Sequence, residues 1–218
     1  MNYIDIHTHS FYMGESTTIV LNVFPGENQK FDLPSKFSVG LHPWHIREDT
    51  WEMHVDEVKE LCQQRNVIAV GETGLDKAIG VPYAVQRKVF EAQLQLAESL
   101  HMPLIIHCVR SYSEMLEYRK HANKEIPWIF HWFNNTIQMA TELINKNCYL
   151  SFGHMLFNEQ SRAFQVFNHI NPGYVFFETD DAGYSIGEVY NKAAAIKHLP
   201  EQDLVMRIQE NFNRCFNM

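Results

Sequence analysis

Long apolar runs are missing from this 218-residue sequence. None approaches the roughly 20 residues that cross a bilayer, so no membrane segment is expected. Positive charge is scarce. Lys plus Arg number 18 against 26 Asp plus Glu, a formal net charge of −8, and no basic stripe suited to a long nucleic acid is visible. A local phosphate pocket stays open, because bound cations reverse the sign of the field inside it. Cysteine is sparse: Cys62, Cys108, Cys148 and Cys215 lie far apart and form no C-x-x-C pair. That excludes a disulfide-dense secreted scaffold and points to a reducing compartment. Met1-Asn2-Tyr3-Ile4-Asp5 offers neither a basic head nor an apolar h-region, so no secretory signal is expected and the chain is placed in the cytoplasm. No repeat, low-complexity tract or Ser/Gly-rich linker divides it. One domain over residues 1–218 is the expectation.

What recurs is a short β-rich run followed by a longer amphipathic one. Strands are predicted over Tyr3–His7, Phe37–Leu41, Asn66–Gly71, Pro103–His107, Pro127–His131, Cys148–Phe152 and Tyr174–Glu178. Several are nearly continuous Val/Ile/Leu/Phe, as in strands of a parallel sheet buried on both faces. Helices are predicted over Trp51–Arg65, Tyr83–Leu100, Ser111–His121, Thr136–Asn145, Asn158–His169 and Glu201–Phe216. In Tyr83–Leu100, Val85, Val89, Leu96 and Leu100 share a face, with Gln and Glu assigned to the other. Seven or eight alternating units of this kind indicate an α/β fold of the TIM-type (β/α) barrel class. The segment 10–38 is short for such a barrel. Thr17–Phe24, Pro25-Gly26-Glu27-Asn28 and Gln29–Leu33 read as a hairpin about a Pro-Gly turn. A crossover between parallel strands takes about a dozen residues or more. The first helix is therefore expected to be missing, and strand two irregular or antiparallel, with the barrel distorted there.

Twelve histidines stand out. His7-Thr8-His9 ends the first strand, and residues i and i+2 of a strand face the same way. Two neutral imidazoles so spaced make a natural chelate; a pair of hydrogen-bonded core histidines is the simple alternative. The other strand ends add Glu72 after Ala69-Val70-Gly71, His107 after Leu104-Ile105-Ile106, His131 after Trp128-Ile129-Phe130, and the carboxylates of Glu178-Thr179-Asp180. Barrel active sites lie at strand C-termini. Four imidazoles and two carboxylates gathered there suit Zn²⁺, Mn²⁺ or another divalent ion, one or two in number.

These residues, in this order, resemble the TatD family of metal-dependent hydrolases within the amidohydrolase-like barrels. The resemblance is carried by His7-Thr8-His9, Gly40-Leu41-His42-Pro43, Gly71-Glu72-Thr73-Gly74-Leu75-Asp76, Gln86…Phe90…Gln93-Leu94…Ala97, Ile106-His107-Cys108…Arg110, His131-Trp132-Phe133, Glu178-Thr179-Asp180 and Asn211…Phe216. It implies His7, His9, Glu72 and Asp180 around one metal and Glu72, His107 and His131 around a second, with Glu72 bridging. Three departures bear on substrate choice: the shortened 10–38 segment, Lys77 in place of an aromatic residue, and Asp181-Ala182 where a small residue and proline are usual.

The implied reaction is phosphodiester hydrolysis, as in the family's deoxyribonucleases, by attack of a metal-bound hydroxide. The catalytic pair is Asp180 and Glu72, Asp180 taking or orienting the proton. The metal is Zn, Mn or Mg. The substrate is DNA or a small phosphodiester, held by His42, His45 and Arg110, since a guanidinium grips phosphate bidentately. An amide, ester or lactone hydrolase with the same metal site is the alternative, as is a catalytically silent metal-binding barrel. Plainer readings stand beside these roles. Arg110 could pair with Glu114 at i+4, His42 and His45 could be ordinary loop residues, and Asp76 reads as a turn or cap residue. Cys108 reads as a buried thiol. Trp44, Trp132 and Phe133 suit stacking on bases or simple packing.

Overall fold

The computed structural model describes residues 2–12 and 16–217. Eight strands follow one another in sheet order: β1 (Tyr3–Thr8), β2 (Thr17–Val23), β3 (Lys36–Val39), β4 (Val67–Asp76), β5 (Leu104–Val109), β6 (Trp128–Phe130), β7 (Cys148–Phe152) and β8 (Val175–Phe177). The helices are α1 (Trp51–Leu61), α2 (Tyr83–Leu100), α3 (Tyr112–His121), α4 (Ile137–Ile144), α5 (Arg162–His169), α6 (Ile186–Lys197) and α7 (Glu201–Phe216). Strand order equal to chain order, with parallel pairing, is the TIM-type barrel arrangement. Among the described residues, no helix is long and apolar enough to cross a membrane. The chain packs as two compact units: Met1–Leu21 with Phe130–Met218, and Asn22–Ile129.

In the first unit, β1 pairs with β2 in parallel, Tyr3 opposite Thr17 and Thr8 opposite Leu21, with a register shift between Asp5 and Thr8. The antiparallel alternative for the second strand is thereby corrected. Residues 9–16 connect the two strands, so a parallel pair forms here across a link shorter than an ordinary crossover. No helix separates them among the described residues, as the sequence indicated. Thr8 bridges Asp180, and β7 pairs with β8 from Leu150–Val175 to Phe152–Phe177. Helix α6 was not read from the sequence. Its start is a capping box, the Ser185 side chain accepting from Glu188 N and the Glu188 carboxylate from Ser185 N, which satisfies two otherwise orphaned donors.

In the second unit, Phe24 O accepts from Glu27 N across Pro25-Gly26. Gly26 has φ +88°, the type II turn value that glycine supplies at no steric cost. The turn is as the sequence indicated, but no strand follows: Asn28–Asp32 winds as a 3₁₀ turn. The Glu27 carboxylate takes Phe24 N and Lys30 Nζ, which curls the chain, and Phe31 packs on Phe37 at 4.8 Å between ring centroids. β4 pairs with both β3 and β5 in parallel, its register shifting between Val70 and Thr73. Helix α2 spans the predicted residues, but its buried face carries Gln86 and Gln93 beside Val89, Phe90, Leu94, Leu96 and Ala97. Placing the glutamines outward was wrong for a physical reason. Gln93 closes both backbone groups of Leu41 and donates to Thr73 Oγ1. Gln86 does the same for the backbone N and O of Asp76. Buried backbone groups beyond strand ends need such partners.

Candidate metal centre

In the first unit, the parallel bridge at Thr8 brings the end of β1 against Asp180, three residues beyond β8. Asp180 N donates to His7 O, and His9 N to Asp180 O, at 3.0 and 3.3 Å. Asp180 itself has φ +52°, a left-handed conformation that a non-glycine residue holds only when its surroundings over-determine it. Its Oδ1 lies 3.2 Å from His9 Nε2 and 3.7 Å from His7 Nε2. The ring of His131 is 4.5 Å from that of His7, and His9 stands perpendicular to His7 at 5.0 Å. One donor atom each from His7, His131 and Asp180 falls within a 4.8 Å cluster. His7 is wholly buried, whereas the His9 side chain is 28% exposed. Burial alone would push the Asp180 carboxyl up. The hydrogen bond from His9 and the fields of His7 and His131 outweigh it and hold the group below the usual carboxylate range.

Two further carboxyls support this cluster. Glu178, two residues earlier, accepts from Trp132 N at 2.5 Å and sits 4.0 Å from His131 Nδ1. Complete burial pushes its pKa up to about 8, partly offset by His131. Asp5 accepts from Thr179 N, Thr179 Oγ1 and Tyr12 OH. Burial raises it to about 6 despite those bonds. The sequence reading did not assign either group to the site. The signal was present in the spacing, since Asp5 stands two residues before His7 and Glu178 two before Asp180.

In the second unit, Glu72 sits at the β4 register shift, where a bulge re-aims side chains. Its Oε1 is 3.0 Å from His42 Nε2 and 2.8 Å from His107 Nδ1. His42, Glu72 and His107 form the second 4.8 Å cluster, all buried. The close approach of β4 to β5 depends on Gly74, φ +155°, where a Cβ would fall 1.9 Å from His107 O.

The hydrogen-bond partners fix what each imidazole offers. His42 Nδ1 accepts from Trp44 N at 3.1 Å. The proton of neutral His42 is therefore on Nε2, where it donates to Glu72. His42 orients the carboxylate. His107 has a carboxylate on each side, Glu72 at Nδ1 and Asp76 Oδ2 at 3.2 Å from Nε2. A neutral imidazole has one N–H. Asp76 also accepts from Trp44 Nε1 at 2.8 Å and Ala78 N at 2.7 Å. Burial opposes its ionisation, but the Trp44, Ala78 and His107 contacts together lower its pKa. In the tautomer with its proton on Nε2, His107 donates to Asp76. The Nδ1 lone pair then points at a carboxylate oxygen 2.8 Å away, an arrangement that a cation between them resolves. Both donor sets, imidazole with carboxylate, fit a divalent transition ion, and the carboxylate behind His107 is the outer partner such ligands have.

The remaining predicted residues are dispersed. His45 is exposed, with its ring 4.4 Å from Phe24 and 5.8 Å from His42. Arg110 is exposed and follows β5 with φ +53°. The suggested pairing of Arg110 with Glu114 is replaced, since Lys77 takes Glu114. Phe133 is 1% exposed and packs in the core, whereas Trp44 is 62% and Trp132 39% exposed. Cys108 is half-buried, and not buried as the sequence indicated; desolvation still raises its thiol pKa.

A model of the TatD-related DNases matches residues 27–217. An uncharacterized metal-dependent hydrolase of Bacillus subtilis is 31% identical over 198 residues, 83% of this chain and 77% of that protein. The 3'-5' ssDNA/RNA exonuclease TatD of Citrobacter koseri is 29% identical over 117 residues, 52% of this chain and 44% of that one. Among solved structures, a TatD homologue from Escherichia coli superposes with a TM-score of 0.84 at 20% identity, covering 99% of this chain and 98% of its own. A TatD-family hydrolase from Entamoeba histolytica gives 0.79 at 17% identity, covering 99% and 98%.

Proposed function

Because the chain belongs to the TatD-related DNase family, we propose that it is a divalent-metal-dependent phosphodiesterase acting on nucleic acid strands in the cytoplasm. The observation that carries this is the imidazole–carboxylate chemistry of its two buried clusters. His7, His9, His131 and Asp180 are the ligands offered by one unit, Glu72 and His107 those offered by the other, with Zn, Mn or Mg as the metal. When bound, a divalent cation lowers the pKa of water and neutralises charge developing on phosphoryl oxygens.

The chain's own groups do the rest. Asp180, held ionised by the histidines around it, accepts the proton released as water oxygen attacks phosphorus. The P–O bond to the leaving oxygen breaks, and that oxygen takes a proton from solvent. Asp76 keeps His107 in one tautomer, and His42 holds the Glu72 carboxylate. Arg110 and His45, both exposed, contact substrate phosphate. The relative named as a 3'-5' ssDNA/RNA exonuclease points to single strands as the form cleaved.

The test is hydrolysis of an end-labelled single-stranded oligonucleotide by protein supplied with Mn²⁺, Mg²⁺ or Zn²⁺. Cleavage is expected, and Asp180→Asn lowers it at least about 100-fold, the lower end for a general acid–base group. Undiminished cleavage by Asp180→Asn removes Asp180 from the role assigned to it. Hydrolysis of an ester or lactone with no phosphodiester turned over replaces this reading with a carbon-centred hydrolase.

A further inference from the structure

We infer that Trp44 is a stacking platform for a nucleobase of the substrate, set beside the His42–Glu72–His107 cluster. The inference rests on the phosphodiesterase reading and adds what that reading lacks, a source of affinity. Trp44 is 62% exposed, yet it is fixed at several points. Its indole Nε1–H donates to Asp76 Oδ2 at 2.8 Å and its backbone N to His42 Nδ1 at 3.1 Å. Pro43 precedes it in the 3₁₀ turn Pro43–His45, and proline presets the turn's φ. The indole plane stands 80° from the His42 ring at 5.1 Å and 76° from the His107 ring at 6.0 Å. A large aromatic side chain is thus held in one orientation, in water, against two imidazoles of the site.

Charge makes the case for a base and not a second phosphate. With 26 acidic against 18 basic residues, the chain has little to gain from tracking a phosphate backbone, which requires several Lys or Arg contacts. Of the cations near this end of β4 and β5, Lys77 is committed to Glu114. Stacking does not depend on charge, and every base has a π-face, so such a platform is tolerant of sequence. His45, exposed beside Trp44 and braced edge-on against Phe24 at 4.4 Å, extends the aromatic rim.

The experiment compares binding of two fluorescein-labelled strands of equal length, hexathymidylate and an all-abasic tetrahydrofuran strand, by fluorescence anisotropy. Wild-type protein is expected to prefer the base-bearing strand by about 5- to 150-fold, the range for one stacked base. Trp44→Ala erases that preference. Trp44→Phe keeps most of it, because the ring remains although the Asp76 bond is lost, and this separates stacking from anchoring. Tryptophan emission quenched by hexathymidylate in the wild type and not in Trp44→Phe gives a second readout, independent of turnover. The proposal is overturned if the preference is absent from the wild type, survives in Trp44→Ala, or falls equally in Ala and Phe. Those failures concern Trp44 alone. A wild-type protein that cleaves no phosphodiester with any of the three metals fails the functional reading itself.

Discussion

Replacing Asp76 with alanine tests the reading of His107 most directly. Asp76 is 1% exposed and accepts three hydrogen bonds, from Trp44 Nε1, Ala78 N and His107 Nε2. Removing the carboxylate leaves the His107 N–H without its acceptor in a nearly buried position, at about 1–3 kcal/mol. The other two donors lie nearer the surface and recover water, so each loses roughly 0.5–1.5 kcal/mol. A destabilisation of about 4 kcal/mol follows, or roughly 8–16 °C in Tm for a chain of this size.

The functional effect is separate from this loss. Without Asp76, the proton of neutral His107 is drawn to Nδ1, where Glu72 Oε1 lies 2.8 Å away, and that form has no lone pair on Nδ1 for an ion. Partners of this kind typically contribute about 10- to 100-fold in metal affinity. Competition against a chelator, at a temperature where circular dichroism shows the variant folded, measures that ratio for Zn²⁺ and Mn²⁺. Asp76→Asn, which keeps one amide oxygen as acceptor, is expected to fall between the wild type and Asp76→Ala. A folded Asp76→Ala protein that binds metal within about twofold of wild type would refute the tautomer argument, because Asp76 would then only close the turn at Ala78.

Gly74→Ala is expected to cost at least about 3 kcal/mol, since the new Cβ would lie 1.9 Å from His107 O on a backbone at φ +155°; denaturant titration checks it, and a near-neutral change contradicts the close approach of β4 to β5. Lys197, whose burial lowers its pKa to about 8, binds fewer protons in the folded than in the unfolded chain between there and the ordinary lysine value. Stability should therefore rise with pH across that window, by about 1 kcal/mol after allowance for solvent. Lys197→Met abolishes the rise in denaturation midpoints measured from pH 7 to 10; parallel curves for the two proteins would count against it.

How far the site was legible in the sequence follows from what each element depends on. Strands such as Cys148–Phe152 and helices such as Tyr83–Leu100 are set by local patterning, and their limits coincide with the structure. Helix α6 was overlooked although Ser185 and Glu188 signalled its start. The His and acidic residues could be picked out because each follows an apolar, strand-like run in the sequence, although Glu72 and His107 lie within β4 and β5 and not at their ends. Their partners could not. That Gln86 and Gln93 face inward depends on backbone groups of Leu41 and Asp76 needing closure, which is a property of the folded loops. Nor does local sequence show that β2 pairs in parallel after so short a link.

The Glu178-Thr179-Asp180 segment shows why composition alone could not assign the ligand. By type, either acid could coordinate an ion. Their surroundings separate them. Asp180 turns into the left-handed region and meets two imidazole nitrogens, so its charge is favoured. Glu178 is deeper, and its short contact is with the Trp132 backbone N–H, so desolvation dominates and a proton is retained near neutral pH. Thr179, between them, spends its hydroxyl and its backbone N–H on Asp5, tying the segment back to β1. Two carboxyls two residues apart are driven in opposite directions by burial and by the company of histidine, and it is the less buried one that keeps its charge.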